Sequence, residues 1–172
     1  PPRADVDVGL DLHFPGRRSY EALHARLRLM FRADGDRERH YSFRFIQSSH
    51  DRAFQVRLAA AMTATGIGRA VSHSRLAVLR IGAPPLTAVC ERLVTELRAR
   101  GGVLLTPSRT ELAVLWAIAA LREDAEHSHL LPAWLADRRP VSHVSVFGDA
   151  VRWLFGDTAR PSEPAARRLA TP

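Results

Sequence analysis

His40-Tyr41-Ser42-Phe43 and His143-Val144-Ser145-Val146 each place a histidine and a serine two residues apart, with apolar residues between and after them. On a β-strand, positions i and i+2 share one face, so each tetrapeptide would present an imidazole beside a hydroxyl. Imidazole changes charge near neutral pH and suits general acid–base chemistry. A second group with chemical potential is Asp5, Asp7, Asp11 and His13. These alternate with apolar residues and would share a strand face, where oxygen and imidazole ligands suit magnesium, manganese or calcium. The plainer reading is a polar strand face whose acids pair across the sheet with His40 and Arg44.

The two histidine tetrapeptides resemble the paired motifs of the 2H phosphoesterases, and the likeness extends to chain size and an opening strand-helix-strand order. The resemblance implies that His40 and His143 act as general acid and base on a 2′,3′-cyclic phosphate, with Ser42 and Ser145 beside them. It goes no further than the two tetrapeptides, the chain size and that opening order. A helix beginning at Val144 would turn Ser145 away from His143.

Other chemistries find little support. Gly66-Ile67-Gly68 and Gly101-Gly102 lack the spacing of a phosphate-binding loop, and there is no lysine to reach a phosphate. Cys90 is the single cysteine; beside Val89 and Leu93 it reads as a small core residue. His127 and His129 have no cysteine or third histidine nearby to complete a metal site. Trp116, Trp134 and Trp153 read as core or contact residues, not as a stacking platform for bases. No cofactor is expected.

Charge is distributed unevenly. All 25 basic residues that fix the net charge of +7 are arginines. A GC-rich genome would also favour arginine over lysine, but guanidinium binds phosphate bidentately and is never discharged. Eight arginines between Arg17 and Arg44 face four acids, Glu21, Asp34, Asp36 and Glu38. Arg17, Arg18, Arg28, Arg32, Arg37, Arg39 and Arg44 therefore form the expected polyanion-binding surface.

The elements that would position these groups follow from periodicity. Ala4–Phe14 alternates as a half-buried strand with Val6, Val8, Leu10, Leu12 and Phe14 inward. Ser19 caps an expected helix with Leu23, Leu27, Met30 and Phe31 on its apolar face, ended by Asp34-Gly35. A strand from Arg39 turns Tyr41, Phe43 and Phe45 inward and His40, Ser42 and Arg44 outward. A helix opened by Ser48 and Asp51 buries Phe54, Leu58, Ala61 and Met62 and stops at Gly66. Val71 and then Leu76–Ile81 read as one broken strand or a hairpin, because an uninterrupted apolar run suits a centrally placed strand. Pro84-Pro85 opens a helix with Leu86, Val89, Leu93 and Leu97 inward, supported by Glu96 and Arg100 and closed by Gly101-Gly102. Val103–Leu105 is a short strand. A capping-box pattern at Ser108 and Glu111 starts an apolar helix through Leu121, expected at the centre of the packing. Leu130–Ala136 is helical, Val144–Phe155 is a helix or a strand turning into one, and the residues from Asp157 form a tail.

Alternation of strands and helices predicts an α/β class with about four strands, or α+β with one open sheet face. Residues 1–106 are expected to form the body, 107–156 a helical extension packed on it, and 157–172 a flexible tail. The single cysteine points to a reducing, intracellular compartment, and no apolar run approaches the roughly 20 residues that span a bilayer. Pro1 in place of methionine suggests a fragment or processed product. The leading functional expectation is a non-catalytic domain that binds DNA, RNA or another polyanion. The alternatives are an assembly module, with a protein partner or self-association through the C-terminal helices, and the 2H-like phosphodiesterase.

Overall fold

The computed structural model describes residues 6–12, 14, 21–32, 35–68, 73–81, 86–124, 129–140 and 144. In chain order the elements are β1 Val6–Asp11, β2 Ala25–Phe31, β3 Arg37–Ile46, α1 Asp51–Thr65, β4 Ser74–Arg80, α2 Ala88–Ala99, β5 Gly102–Leu105, α3 Arg109–Glu123 and α4 Leu131–Arg138. The class is mixed α/β, with an open five-stranded sheet in the order β1-β2-β3-β4-β5. The expected strand count of about four rises to five because of β2.

The first three strands pair antiparallel and the last three parallel. Parallel neighbours need a crossover, and α1 and α2 supply the two connections. Both lie on one face of the sheet. Phe54, Leu58, Ala61 and Met62 of α1 and Cys90, Val94 and Leu97 of α2 close on Ile46, Leu76 and Val78 to form the core. Residues in register with these strand positions share what we term the helix-bearing face; the alternate residues share the opposite face.

β4 is the most enclosed strand, with Leu76 through Arg80 all buried. Its place between β3 and β5 agrees with its uninterrupted apolar run. α1 ends as its sequence predicts: Gly66 is left-handed, and its N–H donates to the Thr63 carbonyl. Its start differs. His50 occupies the N-cap without a side-chain cap, while the Ser48 hydroxyl and the His50 backbone bond to each other just outside the helix. The buried stripe of α2 is Cys90, Val94 and Leu97, so Val89 faces solvent instead of the core. Glu96 and Arg100 do pair across one turn.

Three expectations for the first three strands are overturned. The segment expected as a helix from Ser19 contains β2, which pairs with β1 on one side and β3 on the other. On β1 the alternation holds but the exposure is reversed at Val8 and Leu10, which are 65% and 61% exposed. β1 is an edge strand, and neither α1 nor α2 has its core stripe on it. On β3, Tyr41 is buried as expected, but Ser42 and Arg44 are buried too and Phe45 is exposed, because the row expected to face outward lies on the helix-bearing face.

The chain divides into two compact units, Pro1–Ser108 and Arg109–Pro172. In the second, α3 has no buried residue and its Trp116 is 81% exposed, against the expected central position. α4 buries Leu131 and ends at Arg139, whose N–H donates to the Leu135 carbonyl. Val144–Phe155 and the tail lie outside the described residues apart from Val144. No helix among the described residues is long and apolar enough to cross a membrane.

Candidate functional site

The strand register sorts charge by face. On the helix-bearing side lie Asp7 and Asp11 of β1, Arg26 and Arg28 of β2, Glu38, His40 and Arg44 of β3, and Arg80 of β4. These cations have local partners. Arg28 forms ion pairs with Asp11 at 3.1 Å and Glu38 at 3.8 Å, and His40 Nε2 lies 3.2 Å from Glu38. The Arg80 guanidinium stacks 5.2 Å from the Phe54 ring centre, and that of Arg26 lies 5.0 Å from Phe14. Just past β2, Arg32 bonds Asp7 through both Nε and Nη2.

The opposite face has a different character. Its charged strand residues are Arg37 and Arg39 of β3 and Arg75 of β4, and no strand places an acid there. Along β3 the two arginines are separated by about 6.6 Å of strand rise. Arg75 pairs in register with Tyr41, one step along the same row. Phe31 positions the Arg39 guanidinium, which lies 5.2 Å from its ring centre. Arg75 reaches across Gly101: its Nη1 would be 2.6 Å from a Cβ at that residue, whose φ is +86°. Gly101 therefore serves both the left-handed turn into β5 and the path of the arginine.

Of the seven arginines named from sequence, the fold brings Arg37 and Arg39 onto one face with Arg75. It separates Arg28 and Arg32 from them by ion pairing on the other side, and it buries Arg44. Arg17 and Arg18 lie outside the described residues. Arg75 was missed because its inclusion depends on the β3–β4 pairing, which has no local sequence signal.

His40 and Ser42 share the helix-bearing face, as a strand requires, but His143 and Ser145 lie outside the described residues. Asp7 and Asp11 share a face; Asp5 and His13 also lie outside the described residues. Their pairing partners are Arg32 and Arg28, not His40 and Arg44, because β2 stands between β1 and β3. Among the described residues no three potential metal ligands cluster. Cys90 is buried in the core, where its sulfur accepts a long bond from the Gln55 amide at 3.7 Å.

His24, also absent from the sequence reading, occupies the chain just ahead of β2. Its Nδ1 receives the Phe45 N–H at 3.0 Å, and its Nε2 lies 3.1 Å from Arg44. Burial, then the Arg44 charge, lowers its pKa, with Glu21 acting in the opposite direction. On the outer side of α1 and α2, a shallow groove of about 460 Å³ is lined by Val56, Ala59, Val89 and Leu93 and flanked by Arg52 and Arg92.

No protein-family model, curated protein or solved structure matches this chain.

Proposed function

We propose that the chain is a non-catalytic nucleic-acid-binding domain that meets phosphates with Arg37, Arg39 and Arg75. The observation that supports this reading is the sorting of charge by register: these arginines share a sheet face on which no strand carries an acid. Guanidinium is well matched to phosphate, and a row of such groups contacts backbone charge without reading sequence. Arg28 and Arg32 contribute little to the contact, since Asp11, Glu38 and Asp7 already hold them.

The test is fluorescence anisotropy with labelled single- and double-stranded DNA and RNA across a salt series. Affinity should fall linearly on a log–log plot, with a slope near −0.9 per phosphate contacted on B-DNA and about −0.7 on a single strand. Replacing Arg39 and Arg75 together by Gln should weaken binding about tenfold or more and reduce the slope by about two contacts. Arg28→Gln should leave the affinity within about twofold, because that charge is locally neutralised. No binding to DNA or RNA at low salt, or equal affinity of the double variant and the parent, would overturn the proposal. Binding to heparin alone would assign the face to another polyanion.

A further inference from the structure

We infer that β1 is a self-association edge, at which two copies of the chain pair antiparallel about a two-fold axis passing at Val8. Among the described residues β1 pairs with β2 alone and ends the sheet. An unpaired edge is commonly blunted by lysine, proline or a bulge. β1 contains no proline and its register with β2 runs unbroken from Val6 to Asp11; its two charges, Asp7 and Asp11, are held by Arg32 and Arg28, and it exposes Val8 and Leu10 on the other face.

Strand parity selects the occupant and the register. Residues directly opposite in an antiparallel pair share a face, so the apolar row of one copy continues into that of another only if even positions meet even positions. With Val8 on the axis, Val6 meets Leu10 of the second copy, Val8 meets Val8, and Leu10 meets Val6. On the other face each Asp7 comes opposite Gly9. The Arg28 guanidinium already lies across Gly9, with Nη2 3.2 Å from the position a Cβ would take. Each copy therefore sets its Asp7, already bonded to Arg32, against the other's Arg28, already paired with Asp11 and Glu38, so the symmetry joins these ion pairs into a shared network twice. Neighbouring registers are poorer. An axis at Asp7 opposes the two Asp7 carboxylates, and an axis at Gly9 opposes Asp7 to Asp11, both like-charge pairs. An axis at Leu10 leaves only Gly9–Asp11 of each β1 paired. The contact is isologous and closes as a dimer.

This inference is independent of the phosphate-binding reading, because it uses a different strand and no residue of the arginine row. Sedimentation velocity over a concentration series of the full 172-residue chain tests it. The chain should pass from monomer to dimer with increasing concentration. Val8→Lys should retain the parent circular-dichroism spectrum, since Val8 is largely exposed, and should raise the dimer dissociation constant more than about tenfold by placing two ammonium groups face to face. Val8→Cys supplies a second readout: Cβ atoms of directly opposed residues lie about 4.5–5.5 Å apart, close enough for a disulfide after small adjustment. Mild oxidation should cross-link Val8→Cys and leave Val89→Cys, an exposed thiol on α2, largely monomeric; native Cys90 is buried and gives no background. A parent chain that is monomeric at every concentration, a Val8→Lys variant as dimeric as the parent, or Val8→Cys cross-linking no better than Val89→Cys would each overturn it.

Discussion

Nε2 of His24 lies 3.1 Å from the Arg44 guanidinium while Nδ1 takes the Phe45 backbone N–H at 3.0 Å. Both neighbours can only donate. A neutral imidazole has one acceptor nitrogen and can satisfy one of them; a protonated ring can satisfy neither. Burial and the Arg44 charge act in the same direction, so the folded pKa of His24 is below the ordinary value near 6.5. The unfolded chain thus takes up this proton more readily. Stability is fully present above the unfolded value and is lost as the pH falls through that value towards the lower folded one. The midpoint of thermal unfolding should fall between about pH 7 and pH 5, and His24→Asn should flatten that part of the profile. An identical pH slope in the variant would mean that another group controls the transition.

At the start of β5, Gly102 has no room for a side chain. A Cβ there would sit 2.2 Å from Leu97 Cδ1 and 3.1 Å from the Leu76 carbonyl oxygen, and Leu97 is itself fully buried. Gly102→Ala should therefore destabilise the fold by about 1–3 kcal/mol, the usual cost of overpacking. Urea titration should locate the midpoint at lower denaturant with an unchanged slope. A midpoint equal to the parent's would show that Leu97 and β5 can shift at no cost.

Ser42 offers the converse case. It is 1% exposed, and its Oγ has no hydrogen-bond partner among the described residues. An unsatisfied buried hydroxyl is a liability, so Ser42→Ala should leave stability unchanged or raise it. A loss of more than about 1 kcal/mol would reveal a partner for the hydroxyl.

Much of the fold was legible because punctuation and period agreed. α1 has its expected apolar stripe and its left-handed Gly66, and β4 has the continuous run of a strand covered on both faces. β2 was not legible because residues 23–31 satisfy two periods. Leu23, Leu27 and Met30 make a helical stripe, while Leu27, Leu29 and Phe31 alternate with Arg26, Arg28 and Met30 as a strand does. Hydrogen bonding to β1 and β3 on either side goes with the strand, and neither neighbour is local information. The same limit governs the faces of β1 and β3. Alternation separates Ser42 and Arg44 from Tyr41 and Phe43, but it does not show that α1 and α2 enclose the first row while Tyr41 is buried on the other face as well. The grouping of Arg39 with Arg75 depends on parallel pairing between segments joined by a whole helix.

The cations that the described strands place on the face of Arg37, Arg39 and Arg75 are all guanidinium groups, without lysine or histidine among them. No pH that the folded chain tolerates can discharge them. Acid would instead act on the fold through His24, leaving the charge of the row intact. A pH titration and a salt titration consequently perturb different things in this molecule: the first the population of folded chains, the second the reach of the charges those chains display.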